Sequence, residues 1–185
     1  HMEKHLSNAT MKKLIFLQSS EITEYYIYSN IAKTVKDPKN KEILNKIAEE
    51  EKVHSIIWSE ITGVSVKPKK MKIFRYTLLA KILGYTFALK LLEKGEDSAS
   101  DFYKTLAEEV PEAEKIAADE QRHEAELLNM LDEERLQYVG SMVLGLSDAL
   151  VELTGTLAGL TFALQNNRLV ALSGLITGIS ATLSM

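Results

Sequence analysis

The chain has 185 residues, 45% of them hydrophobic and 7% aromatic, and a net charge of −4. That is enough for one compact domain with something smaller attached, and the acidic balance excludes the basic, aromatic-studded surface of a nucleic-acid binder. With no cysteine, disulfides, zinc ribbons, rubredoxin-type centres and iron–sulfur clusters are also excluded, so any metal must rest on His and carboxylate ligands.

After His1-Met2, which reads as a cloning remnant, the pattern is helical almost throughout, without the alternation of a sheet. The first predicted helix covers 7–35 and stops near Asp37-Pro38, because proline biases the residue before it away from helical dihedrals. The second covers 39–62 and ends at Gly63. "VSVKPKKMK" follows, then a helical stretch over 71–109 interrupted by Gly84 and Gly95. Between Glu60 and Glu93 there is no acidic residue but seven basic ones, Lys67, Lys69, Lys70, Lys72, Arg75, Lys81 and Lys90. Interleaved with Ile73, Phe74, Leu78, Leu79, Ile82 and Leu83, they form a basic amphipathic segment suited to an anionic membrane face, or a plain crossover between helices. Uninterrupted, 71–109 would be about 58 Å long, which raises a homodimer with swapped helices. Pro111 suits the first turn of a fourth helix over 112–138, and the short links imply two antiparallel hairpins.

Of 22 basic and 26 acidic side chains, only Asp148, Glu152 and Arg168 fall after residue 138. The expected division is therefore a domain over 3–138 and membrane helices over 139–185. "VGSMVLGLSDALVELTGTLAGLTFAL" (139–164) is long enough to cross a hydrocarbon core of roughly 30 Å. "QNNR" makes a polar turn, and "LVALSGLITGISATLSM" runs uncharged to Met185, a second span expected to be cut short. Gly155/Gly159 and Gly174/Gly178 are GxxxG pairs that let helices approach closely in lipid. The competing expectation is a buried hairpin in a soluble protein.

The chemistry sits in a repeat. Four-helix carboxylate proteins hold two metals with one Glu from each of two helices and a Glu-x-x-His unit from each of the other two, the Glu and His lying one turn apart on one face. Glu51-x-x-His54 and Glu120-x-x-His123 are two such units. Each lies on an apolar seam, Ile47, Trp58 and Ile61 in one helix and Ile116, Leu127 and Met130 in the other. Glu21, Tyr28 and Ala32 on the first helix match Glu96, Tyr103 and Ala107 further on at the same spacings, as a duplicated hairpin requires. Four Glu and two His in one core would carry a large desolvation penalty without cations. The six expected ligands are Glu21, Glu51, His54, Glu96, Glu120 and His123. Tyr28 and Tyr103 are candidates to hydrogen-bond ligand carboxylates or simply core tyrosines. Glu93 and Glu24 are candidate extra ligands or solvated side chains, while Glu49, Glu50, Glu124 and Glu126 are expected to be exposed.

Over about residues 10–132 these motifs resemble the ferritin-like superfamily and, within it, the rubrerythrin-type di-iron domain. The resemblance implies an all-α four-helix bundle holding two iron ions on the six ligands named, with Glu51 and Glu120 as the bridging, catalytic pair and O2 or peroxide as the oxidant. Manganese or zinc suits the same donors. "GLSDALVELTGTLAGLTFAL" and "SGLITGISATLSM" are similar to the first membrane helix and the start of the second in the vacuolar iron transporter family. That likeness puts Asp148 on a metal and proton path, Glu152 beside it and Met185 in the second helix. Three functions remain open: Fe(II) binding and oxidation in support of iron transport or detoxification at a membrane, a rubrerythrin-like peroxidase with a separate electron donor, and a non-enzymatic metal-sensing module of a transporter. In each the chain is membrane-bound with its helical domain in the cytoplasm.

Overall fold

The computed structural model describes residues 6–94, 103, 105–164 and 167–184, the side chains of 167–170 excepted. The described residues form helices and connecting loops, with no strand among them. In chain order the helices are α1 (Asn8–Ala32), α2 (Pro38–Thr62), α3 (Lys70–Leu83), α4 (Tyr85–Lys94), α5 (Glu112–Leu164) and α6 (Asn167–Leu183); helical residues also occur at 103 and 105–107. Two compact units divide between Met130 and Leu131. The helix α5 contributes to both.

In the first unit local chemistry sets the helix ends. Ser7 is extended and its hydroxyl accepts from the Thr10 amide at 3.1 Å, while Asp37 caps the Asn40 amide at 2.9 Å with Pro38 in the first turn. Each cap satisfies an amide that would otherwise lack a partner. Gly63 closes α2 in the left-handed region at φ 64°, where a side chain is disfavoured. Gly84, at φ 91° and ψ 154°, separates α3 from α4. The long 71–109 stretch is thus broken there, and its length no longer argues for swapped helices.

The turn of α2 back along α1 is antiparallel, with Thr62 donating to Gln18 at 2.8 Å and Trp58 donating to Glu21 at 3.3 Å. The α3 helix lies on α1, joined to it by Lys69 N to Thr23 Oγ1 at 2.9 Å and by Asn30 Nδ2 to Thr77 Oγ1. Leu14 and Leu17 of α1, Trp58 of α2, Tyr103, Leu106 and Val110, and Ala113 and Ile116 of α5 form one buried cluster. Apolar seams at helical spacing therefore meet in a common core.

The second unit comprises the rest of α5 and α6. The boundary expected at 138 is not a helix end: nothing from Leu131 to Val139 is a Gly or Pro, and α5 runs through. It is long and apolar enough to cross a membrane, and its apolar window is only 6% buried within the protein. Within the unit, Gly174 packs on Leu157 and Gly178 on Leu153, whereas Gly155 and Gly159 face open space. The Thr154, Thr161, Thr177 and Thr182 hydroxyls each donate to the carbonyl four residues back, which satisfies them without water.

Gly63→Ala is expected to destabilise the first unit by about 1 kcal/mol, the strain of a left-handed alanine, and Gly63→Asn by less. Urea denaturation followed by circular dichroism checks both; an unchanged midpoint for Gly63→Ala would contradict the assigned cap.

Candidate metal centre

The site lies inside the first unit, where α1, α2 and the N-terminal part of α5 meet. Glu21 comes from α1, Glu51 and His54 from α2, and Glu120 from α5. One donor atom from each lies within 4.8 Å of the others. Glu21, Glu51 and His54 are buried and Glu120 is half-buried. Three buried atoms of these residues, Glu51 Oε2, His54 Nδ1 and Glu120 Oε1, have no hydrogen-bond partner. His54 Nδ1 is 3.0 Å from Glu120 Oε1, 3.7 Å from Glu51 Oε2 and 4.0 Å from Glu21 Oε2, close enough for electrostatic attraction but not directed for a hydrogen bond.

Surrounding side chains hold these donors in place. Tyr103 donates its hydroxyl to Glu21 Oε1 at 2.9 Å, and Trp58 Nε1 donates to the same oxygen at 3.3 Å. Glu21 Oε2 is thereby turned toward the cluster. Behind His54, Asp119 Oδ2 lies 3.2 Å from Nε2, and Asp119 is in turn held by Arg122 at 2.7 Å. A carboxylate on Nε2 retains the proton there and leaves Nδ1 as the donor facing inward. The His123 ring stacks on His54 with centroids 5.8 Å apart. Its Nδ1 is 2.9 Å from Glu51 Oε1, and its Nε2 contacts Glu50.

Among the described residues, the structure brings together four of the six sequence-derived ligands as a cluster and sets His123 against Glu51. Glu96 lies outside the described residues, as does Met185. Tyr28 is buried on α1, and Glu93 is half-buried on α4. Asp148 and Glu152 are exposed on α5 in the second unit. Three surface expectations need correction. Glu126 is half-buried on α5, where Lys46 pairs with it at 3.3 Å and Arg122 lies 3.7 Å away. Glu24 is buried, because the turn after Glu21 remains on the covered face of α1; Glu50 is half-buried against His123 and Arg122. Asp119, Glu50, Arg122 and the hydrogen-bonding role of Trp58 were missed. A buried indole N–H needs an acceptor, so Trp58 one turn beyond His54 was the available signal.

Electrostatics follow from the crowding. Burial, then the Glu51 charge, raises the Glu21 pKa well above the usual carboxylate value. Burial and the Glu120 charge push Glu51 up to about 7. Burial alone would lower His54, but contacts with Glu120 and Glu51 and the charge of Glu21 outweigh it and carry His54 up to about 11. Burial also opposes ionisation of Glu50 and Asp119, but His123 and Arg122 at the former, and Arg122 and His54 at the latter, overcome it and lower both. Tyr103 is raised by burial and by the Glu21 charge, so it remains a donor. Without a metal the cluster must hold protons where positive charge is missing.

The donor set fits a divalent ion. Three carboxylates and one imidazole are hard oxygen and nitrogen ligands suited to iron, manganese or zinc, and the unpartnered buried atoms are those that such an ion would satisfy. No family model, curated protein or solved structure matches the chain.

Two outcomes are expected. In the metal-free protein, the raised Glu51 pKa contributes stability that is full below about 4.5 and lost as pH rises through about 7. The His54 contribution is full below about 6.5 and lost through about 11. Thermal midpoints should therefore fall from pH 5 to pH 8 without metal, and added Mn(II) should restore more at pH 8 because binding displaces those protons. Equal Mn(II) stabilisation at both pH values would contradict this. Asp119→Ala should weaken Mn(II) binding roughly 10- to 100-fold by freeing the His54 ring, as calorimetry would measure.

Proposed function

We propose that the first unit is a ferritin-like, rubrerythrin-type bundle that binds and oxidises Fe(II), and that α5 anchors it to a membrane. The observation that carries this reading is the convergence of three buried, unpartnered atoms, Glu51 Oε2, His54 Nδ1 and Glu120 Oε1, in one small cluster. Four-helix carboxylate proteins place such donors at the centre of a bundle. Iron is preferred among the metals that these ligands accept because the two Glu-x-x-His units and the Glu/Tyr/Ala repeat resemble the rubrerythrin pattern. By the internal repeat in the sequence, Glu96, Glu120 and His123 would hold a second ion.

Fe(II) is the substrate, and two ions would give up one electron each, with two protons taken from solvent, to reduce O2 to hydrogen peroxide or hydrogen peroxide to two waters. The chain's residues make that exchange possible. Carboxylates stabilise the more highly charged ferric product. Asp119 and Arg122 keep His54 aimed inward, and Tyr103 and Trp58 hold Glu21 in place. In the membrane segment, Asp148 resembles an acidic residue of the vacuolar iron transporter family, and an ionisable group in a span is a functional candidate. The cytoplasmic bundle would then deliver iron to the membrane.

An anaerobic Fe(II) titration tests the reading. Wild-type protein is expected to bind two ions per chain and to develop ferric absorbance on addition of O2 or peroxide, and Glu51→Ala/His123→Ala to lose both. Tight zinc binding without Fe(II) oxidation would make the cluster structural. Rapid peroxide consumption with an external reductant and retained iron would favour the peroxidase instead.

A further inference from the structure

The helix α3 is apolar on two sides, but the first unit covers only one of them. Tyr76 and Ala80 are buried, and Thr77 beside them bonds to α1. On the opposite side Met71, Phe74, Leu78 and Ile82 are 74%, 61%, 42% and 69% exposed. Their spacings of three, four and four residues put them in one stripe along the helix. Exposed Arg75 and Lys81 flank it, and no acidic residue occurs between Glu60 and Glu93. Surface helices ordinarily present charge to water, so a row of large apolar side chains bordered only by cations is unusual for a solvated crossover. A second copy of a chain with net charge −4 could supply acidic partners, but it would not select for a stripe bordered solely by cations along a single helix.

We propose that the outward face of α3 docks on an anionic lipid surface. Met71, Phe74, Leu78 and Ile82 enter the boundary between headgroups and acyl chains, while Arg75 and Lys81 meet lipid phosphates and carboxylates. Lysine and arginine suit that position because their aliphatic stems can lie along the apolar layer with the charge at the headgroups. The inference shares with the proposed function the reading of α5 as a membrane span, but it concerns a different surface and can fail separately.

The chain has no cysteine, so a single Leu78→Cys variant takes an environment-sensitive fluorophore at one defined place. A Glu42→Cys variant, exposed on α2, is the control. The full-length protein would be added to, or reconstituted in, vesicles of phosphatidylcholine alone and of phosphatidylcholine with phosphatidylglycerol. The expected result is a blue-shifted Leu78 probe, shielded from aqueous iodide and quenched by spin-labelled lipid, in the anionic vesicles. Shielding should decline with salt and the control should remain exposed. Arg75→Gln/Lys81→Gln should shift docking toward the undocked state by roughly 25-fold, about fivefold per basic side chain. A Leu78 probe equally exposed to iodide with both lipid mixtures overturns the docking, whether or not α5 inserts. Shielding that appears in detergent and grows with protein concentration would assign the face to a second copy and overturn it too. If the probe is shielded on anionic vesicles but the protein washes off at high salt, docking stands and the spanning reading of α5 falls.

Discussion

Three carboxylates and an imidazole brought within 4.8 Å of one another in the first unit set the constraint on which the rest depends. Like charges at that spacing in a poorly solvated place cannot all be ionised together without positive charge among them. Among the described residues, Arg122 pairs with Asp119 and Glu50 at the periphery, His54 is the basic member of the four-residue cluster, and His123 stands against Glu51 beside it. Protons therefore supply charge when no metal is bound, as the raised pKa values of Glu21, Glu51 and His54 reflect. A divalent ion supplies it with fewer protons and satisfies the unpartnered atoms.

The scaffold supports that arrangement from outside. The antiparallel α1 and α2 register brings Trp58 to Glu21, and the segment before α5 brings Tyr103 to the same oxygen. From α5, Asp119 and Glu120 reach opposite nitrogens of His54. Every donor stands on a helix, and the apolar cluster around Leu14, Trp58 and Ile116 holds those helices. Burial thus keeps the donors in place and makes their charges costly.

Much of this was legible in the sequence because it depends on short-range chemistry. Asp37-Pro38 and Gly63 bounded α2 to within a residue, and Gly84 had its expected effect as an interruption. The Glu-x-x-His units could be found because three residues are nearly one helical turn. What spacing could not convey was how side chains turn across the core. His123 belongs to the same unit type as His54, yet it meets Glu51 and Glu50, the latter also bonded by Arg122. Glu24 became buried although its local sequence resembles a surface, since burial depends on what another helix covers. The division expected near residue 138 rested on composition, which changes there without any residue that stops a helix, so α5 continues through it. In the second unit, Gly174 and Gly178 meet Leu157 and Leu153, whereas Gly155 and Gly159 do not; identical motifs take different roles according to which face the neighbouring helix occupies.

The most direct test is a crystal structure of the protein loaded with Mn(II), with the ion located by its anomalous scattering. The account places a peak about 2.0–2.3 Å from Glu51 Oε2, His54 Nδ1 and Glu120 Oε1. A protein that crystallises with its α1, α2 and α5 cluster intact but binds manganese elsewhere, or not at all, would contradict it.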